Sequence, residues 1–150
     1  MKNVDQLNSF LRGEIAAVET YKMAIEKLAK TPHAATLRDN LRSHEDRVSQ
    51  LRDQVIKYGG KPADGSGAWG TFAKLFEGTG AAFGERAAIA ALEEGEDHGR
   101  NDYQRELEKV DASDRDFVQR LLAEQLRTHG TLSALKKSMR DDKSAGYQQR

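Results

Sequence analysis

The stretch "LRGEIAAVETYKMAIEKL", residues 11–28, has the apolar spacing of a packed helix, with one exception. Apolar residues such as Leu11, Val18 and Leu28 belong to a series whose steps alternate between three and four positions, which is typical of a helix with one buried face. The position that this series requires between Leu11 and Val18 is 14, and residue 14 is a glutamate. Because a lone carboxylate in an apolar core is unfavourable or becomes protonated, the pattern predicts buried partners for Glu14.

Three later stretches have the same spacing, and each has one ionisable residue near the middle of its apolar face: His44, Glu96 and His129. The segment "KTPHA", residues 30–34, lies between the first two stretches. We expect a new helix to begin there, because proline is favoured in the first turn of a helix. The sequence therefore predicts four long helices in a bundle of residues 1–140, followed by a polar tail at residues 141–150. The predicted helices span residues 4–29, 32–58, 84–110 and 114–139.

The lengths of the connections predict how these helices are arranged. The first and second helices are joined by a short loop, as are the third and fourth, and short loops favour antiparallel neighbours. The connection between the second and third helices contains the loop 59–67 and a predicted short helix at residues 69–78. A connection this long is uncommon in a simple bundle and can run along its length. The expected fold is therefore all-α, a ferritin-like four-helix bundle with a long crossover and with the second and third helices parallel.

The chain also contains an internal repeat. "GEIAAVETY" at residues 13–21 and "GEDHGRNDY" at residues 95–103 both read Gly-Glu, six residues, Tyr. "LRSH" at residues 41–44 resembles "LRTH" at residues 126–129. One explanation is chance similarity between helices. The two matches occur in the same order along the chain, however, which favours duplication of a helical hairpin.

The composition excludes several classes of protein. Lys and Arg number 24, as do Asp and Glu, so no basic excess indicates a nucleic-acid partner. No apolar run is long enough to cross a membrane, and the N-terminal residues lack the apolar core of a signal peptide. The chain has no cysteine, which excludes disulfides and zinc–thiolate sites. We expect a cytoplasmic protein.

The four polar residues on the apolar faces are predicted to converge near the middle of the bundle. Carboxylates together with imidazoles suit iron, manganese or zinc, so a metal centre is one interpretation. A structural network of Glu–His pairs that fixes helix register is a second. The third is that the helix phases are wrong and some of these side chains reach water. The proposed metal ligands are Glu14, His44, Glu96 and His129, and the residues expected around them are Tyr21, Tyr103 and Glu93.

At these residues the chain resembles a bacterial family of ferritin-like four-helix-bundle proteins, a domain of unknown function. The resemblance covers nearly all of residues 5–139 and implies a ferritin-like fold without implying an activity, so whether the protein is an enzyme stays open. The stretches that carry the resemblance are "LNSFLRGEIAAVETY" (7–21), "SHEDRVSQL" (43–51), "GSGAWG" (65–70), "GEDHGRNDY" (95–103) and "RTHGTL" (127–132).

The sequence departs from the metal motif of the wider ferritin-like group. That group binds two metal ions through a Glu on each of two helices and a Glu-x-x-His on each of the others. The positions three residues before the two histidines are Leu41 and Leu126, which we expect to be buried. Two bridging carboxylates are therefore missing, which argues against a di-iron oxidase and leaves a single metal ion or a packing role.

The functional interpretation has two alternatives. The first is a ferritin-like bundle protein with a core Glu/His centre for Fe, Mn or Zn. The second is a non-catalytic stress-related or interaction protein whose Glu/His network is only structural. The apolar residues Trp69, Phe72 and Phe76 of the crossover form a candidate homodimer surface. The alternative is that these side chains pack against the bundle of their own chain.

Overall fold

A computed structural model describes residues 2–67 and 84–148 of the chain, with side chains for residues 3–67 and 84–139. Within these residues the structure consists of four helices and has no strand. No helix in this part of the chain is both long and apolar enough to cross a membrane. The helices are α1 (Lys2–Lys27), α2 (Ala34–Lys57), α3 (Glu85–Leu107) and α4 (Ala112–Gln148).

The four helices form two hairpins that pack against each other. The first hairpin is α1 with α2, and the second is α3 with α4. Between the hairpins, α1 packs against α3 and α2 packs against α4. Near the start of α1, Gln6 Nε2 donates to the backbone oxygen of Glu106 (3.3 Å), whereas further along α1, Tyr21 donates to Glu96 (2.7 Å). Residue numbers increase along α1 while those of its contact partners in α3 decrease, so these two helices are antiparallel.

The contacts between α2 and α4 show that they are also antiparallel. Asn40 Nδ2 donates to the backbone oxygen of Thr128 (3.1 Å), and Gln54 Nε2 donates to Asp114 (3.2 Å). Because α2 and α3 each run antiparallel to α1, they run in the same direction, which agrees with the direction expected from the long connection. The predicted short helix at residues 69–78 and the candidate homodimer surface lie outside the described residues.

The core consists of two apolar clusters, one towards each end of the bundle, and a polar region lies between them. Residues of all four helices contribute to each cluster, so both clusters hold the two hairpins together through hydrophobic burial. Central members of the first cluster are Leu28, Leu37, Ile89, Leu92 and Leu132. Central members of the second are Leu7, Leu11, Leu51, Val55 and Val118.

The structure corrects the predicted phase and length of the fourth helix. Leu126 was expected to be buried, but it is 45% exposed, while Gln125 and Thr128 are buried. The prediction was wrong because the middle of the buried face of α4 is polar, and the sequence pattern followed the leucines beside it. Leu41, which was also expected to be buried, is half-buried and packs against the first apolar cluster. Helix α4 also extends to Gln148, beyond its predicted end at residue 139.

Candidate functional site

His44 lies at the centre of the bundle between two carboxylates from different helices. Its Nδ1 is 2.6 Å from Glu14 Oε2, and its Nε2 is 2.6 Å from Glu96 Oε1. All three side chains are buried. A neutral imidazole has a single N–H, whereas an imidazolium donates from both ring nitrogens. Contact of both nitrogens with ionised carboxylates therefore favours an imidazolium at His44, against the opposing effect of Arg47, whose Nη2 lies 3.3 Å from Nε2.

Arg47, one turn after His44 on α2, is the second cation of this region. It is fully buried, and its Nη1 donates to Glu14 Oε1 at 3.1 Å. The same guanidinium donates to the side-chain oxygen of Gln125 and, at 3.2 Å, to Thr128 Oγ1. Arg47 therefore joins the first hairpin to α4 through charge-assisted hydrogen bonds.

Two tyrosines connect the hairpins in a reciprocal pattern. Tyr21 of α1 donates to Glu96 Oε1 of α3 at 2.7 Å, and Tyr103 of α3 donates to Glu14 Oε1 of α1 at 2.7 Å. The Glu and Tyr of each sequence repeat thus bind the Tyr and Glu of the other repeat. These reciprocal hydrogen bonds relate α1 and α3 by an approximate two-fold symmetry. The internal repeat of the sequence therefore corresponds to a repeat in the structure.

The remaining acceptor positions of Glu96 are used by α4. Gln125 Nε2 donates to Glu96 Oε2 at 2.9 Å, and Thr128 Oγ1 donates to the same oxygen at 2.8 Å. Among the described residues, one buried side-chain N or O atom has no hydrogen-bond partner, Asn40 Oδ1. The network is otherwise satisfied, as buried polar groups usually are. We call these side chains the polar layer: Glu14, Tyr21, Asn40, His44, Arg47, Glu96, Tyr103, Gln125 and Thr128.

The charges of the polar layer stabilise one another. Burial opposes ionisation of Glu14, but Arg47 and His44 outweigh it and lower the pKa of Glu14 from 4.5 to about 2. Burial also opposes the charged form of His44, but the carboxylates of Glu14 and Glu96 outweigh it and raise the pKa of His44 above its ordinary 6.5. Two carboxylates, one imidazolium and one guanidinium give the layer no net charge, which is what a buried ionic network requires.

Three of the four predicted ligand residues come together, and the fourth does not. Glu14, His44 and Glu96 meet at mid-bundle, whereas His129 is part-buried at the surface, where its Nε2 contacts Asp97. The prediction that His129 converges with the other three was therefore wrong. Of the surrounding residues, Tyr21 and Tyr103 belong to the polar layer. Glu93 does not, since it forms an ion pair with Lys136 at 3.0 Å.

The error at His129 comes from the register in which the second and fourth helices were compared. Aligning the two "LR-x-H" stretches pairs His44 with His129. Burial instead pairs His44 with Gln125 and Arg47 with Thr128, each 81 residues later, so the earlier alignment was displaced by about one helical turn. The buried positions that correspond are 37, 40, 44, 47 and 51 in α2 and 118, 121, 125, 128 and 132 in α4.

Sequence reasoning also missed the polar partners on α2 and α4. Asn40, Arg47, Gln125 and Thr128 are polar residues at buried positions, so a search for apolar periodicity passes over them. One signal could have found Arg47. Two buried carboxylates need two positive charges, and Arg47 lies one turn from His44 on the same face of α2.

The residues of the polar layer do not suit a metal ion. No group of three or more His, Cys, Asp or Glu side chains in residues 3–67 and 84–139 is arranged to hold one. Metal ligation needs an unprotonated ring nitrogen, but both nitrogens of His44 are directed at carboxylates. Arg47 adds a further positive charge beside Glu14. The two cationic side chains thus supply the positive charge that a metal would supply between these carboxylates.

A small cavity of about 40 Å³ borders the polar layer between α1 and α3. Gly13 and Ala17 of α1 and Gly95 and Gly99 of α3 form part of its wall. The two glycines of α3 differ in their surroundings. A Cβ atom added at residue 95 would meet nothing within 4 Å, whereas one added at residue 99 would lie 2.6 Å from Gln125 Nε2.

This difference predicts opposite effects of two alanine substitutions. Gly95→Ala should raise the free energy of unfolding by about 0.5–1 kcal/mol, because alanine favours the helix and fits the cavity. Gly99→Ala should lower it by about 1 kcal/mol, because Gln125 must move away from Glu96 and the lost hydrogen bonds exceed the gain in helix propensity. Urea denaturation of both variants checks the pair, and an equal gain in both would contradict the position of Gln125.

The polar layer also predicts the dependence of stability on pH. The lowered pKa values of Glu14 and Glu96 stabilise the native state above about pH 4.5. The contribution of Glu14 is lost as the pH falls towards 2, and that of Glu96 is lost as the pH falls through its own lowered pKa. The raised pKa of His44 stabilises the native state below about pH 6.5, and this contribution is lost as the pH rises through the higher pKa of the folded state.

We therefore expect the urea midpoint to be highest between about pH 4.5 and 6.5. The measurement is a series of urea titrations from pH 2 to pH 10. A midpoint that continues to rise from pH 6.5 to pH 9 would show that His44 is not held as an imidazolium.

Comparison with protein families gives a match. Residues 2–109 match the family model described as Domain of unknown function (DUF2383). The match includes α1, α2 and α3, and therefore Glu14, His44, Arg47 and Glu96. No curated protein and no solved structure matches the chain.

Proposed function

The chain belongs to the DUF2383 family, and we propose that it is a non-catalytic, ferritin-like bundle protein of the interaction class in which the polar layer is a structural element. In this proposal the polar layer aligns the two hairpins by means of paired charged groups that lie between the two apolar clusters. The protein then acts through the surface of a rigid bundle and not through chemistry at its centre. The proposal also places the protein in the cytoplasm.

The position of His44 carries this proposal. Its ring nitrogens are 2.6 Å from carboxylates on two different helices, and one of those carboxylates belongs to the other hairpin. A side chain that joins three helices in this way fixes their relative positions along the bundle axis. Buried polar residues are best attested in this role, as determinants of register.

The parallel direction of α2 and α3 supports the ferritin-like part of the proposal. Bundles with this arrangement have one long crossover, and proteins of the ferritin-like group hold their metal ions between inward-facing Glu and His residues at mid-bundle. Glu14, His44 and Glu96 lie at that level. The proposal is that side-chain cations occupy the place that metal ions have in that group.

The metal-centre hypothesis keeps one supporting observation, the meeting of two carboxylates and one imidazole. For an ion to bind there, His44 would have to lose a proton and one carboxylate contact, and Arg47 would have to leave Glu14. These changes would replace a satisfied, neutral network by one that must be rebuilt around the metal. We therefore place this hypothesis second.

Thermal unfolding with and without metal separates the two hypotheses. We expect Fe(II), Mn(II) and Zn(II) to leave the melting temperature of tag-free protein unchanged. An ion present at 100 times its Kd would add about 2.7 kcal/mol to stability, which is a shift of several degrees for a chain of this length.

Glu96→Gln is the matched control for this measurement, because it removes one candidate ligand while keeping the size of the side chain. A metal-dependent rise in the parent protein that is lost in Glu96→Gln would establish a metal centre in the polar layer and reject the proposal. A rise that persists in the variant would locate the metal elsewhere.

A further inference from the structure

The two hairpins contribute unequal charge to the polar layer. The first hairpin supplies Glu14, His44 and Arg47, which together carry one net positive charge. The second hairpin supplies Glu96 and the uncharged side chains Gln125 and Thr128, which together carry one net negative charge. The layer is neutral only because the two halves differ.

The approximate two-fold symmetry makes this difference informative. In each hairpin the glutamate is bound by two residues of its own hairpin: His44 and Arg47 bind Glu14, while Gln125 and Thr128 bind Glu96. These residues occupy corresponding buried positions of α2 and α4. The geometry of the two halves is thus shared, and both cations lie on one side.

We propose that this charge difference determines which hairpins pair, so that the layer accepts a first hairpin with a second hairpin and rejects two hairpins of the same kind. The inference rests on the proposed structural role of the layer. It identifies the partner surface of the first hairpin as one that presents a single carboxylate among neutral donors, whether from the same chain or from a second copy of it.

Pairing of like hairpins would leave uncompensated charge in the core. Two first hairpins would bring together two carboxylates and four cations, with two excess positive charges. Two second hairpins would bring together two carboxylates and no cation. Either excess would be buried between two apolar clusters, where an unpaired charge is strongly unfavourable.

The test exchanges the two halves of the layer in the full chain. H44Q/R47T gives both hairpins a negative layer, and Q125H/T128R gives both a positive layer. Combining all four substitutions moves the cations to the second hairpin and restores neutrality. Urea midpoints are measured for each variant with EDTA present.

We expect each two-residue variant to lose a large part of the parent midpoint and the four-residue variant to recover more than half of that loss. Contacting residues with a shared function show such non-additive effects. If the loss in the four-residue variant equals the sum of the two separate losses, the charge difference does not determine pairing and the proposal is wrong.

A second exchange, with lysine in place of arginine at position 128, keeps the proposal testable if an arginine there prevents folding. Q125H/T128K again gives both hairpins a positive layer, and combining it with H44Q/R47T restores neutrality with the charges exchanged between the hairpins. The same recovery is expected, and additive losses would overturn the proposal. A matched control, R42A with A123R, moves an exposed arginine between corresponding surface positions and should leave the midpoint unchanged at each step.

The outcome is distinguishable from failure of the proposed function. A metal-dependent rise in melting temperature would reject the structural role of the layer, whatever the exchange shows. An exchange without recovery would reject the pairing rule while leaving the layer structural.

Discussion

Replacing His44 with leucine should lower the free energy of unfolding by about 3–5 kcal/mol, the loss usual when one partner of a buried ion pair is removed. The substitution removes the imidazolium between Glu14 and Glu96 and leaves Arg47 as the single cation for two buried carboxylates. Leucine fills similar space and favours the helix, so the loss reports mainly on charge and hydrogen bonding. Urea denaturation at pH 6 measures it.

His129→Leu is the matched control, because the sequence pattern gave both histidines the same role. The His129 side chain is 17% exposed and its partner Asp97 is 43% exposed. Ion pairs at the surface contribute about 0–1 kcal/mol, so this variant should remain close to the parent. Equal losses in the two variants would mean that His129 belongs to the core after all.

Arg47→Met should have an effect of similar size, about 3–5 kcal/mol, for a related reason. The guanidinium is fully buried, and its loss leaves Glu14 with less positive charge and removes a donor from Gln125 and Thr128. Methionine keeps much of the aliphatic length and a similar helix propensity, so packing and local structure change little. The urea midpoint and its slope give the measurement.

Arg42→Met provides the comparison, five residues earlier on α2. The Arg42 side chain is 72% exposed and pairs only with Asp39 among the contacts described for it. A surface substitution of this kind should change stability by no more than about 0.5 kcal/mol. If Arg47→Met were as mild as Arg42→Met, the guanidinium would not be part of a buried network.

The arrangement of α1 follows closely from its sequence. Glu14 breaks an apolar series, and this break correctly predicts a buried carboxylate with polar partners. The repeated Glu and Tyr of "GEIAAVETY" and "GEDHGRNDY" predict two equivalent groups, and the structure joins them across the hairpins. The direction of α2 and α3 follows from the length of the connection between them. These features depend on local periodicity and on chain length, both of which a sequence records directly.

The contribution of α4 could not be predicted in the same way. Its buried face changes from apolar to polar at Gln125 and Thr128, and Leu126 beside them is exposed. Hydrophobic periodicity assigns the leucine to the core, since the method assumes that buried positions are apolar. The correct phase depends on Glu96 and Arg47, which belong to other helices. Tertiary partners of this kind are absent from the local pattern.

The missing cation illustrates the same limit on the site. The sequence pattern gave two carboxylates and two histidines, a set that suggests metal ligands. In the structure, the fourth charged residue beside Glu14, His44 and Glu96 is Arg47 and not His129. These four residues form a neutral ionic network. Since an arginine cannot ligate a metal as a neutral donor, one residue changes the chemical interpretation of the whole centre.

The protonation of the His44 ring tests the central claim most directly. Nitrogen-15 NMR of the histidine side chains at pH 7 distinguishes an imidazolium, which has a proton on both nitrogens, from a neutral ring, which has one. The account predicts that His44 carries protons on both Nδ1 and Nε2 and that addition of Zn(II) leaves both signals in place. A His44 ring with one unprotonated nitrogen, or one whose signals shift to those of a metal-bound imidazole when Zn(II) is added, would contradict it.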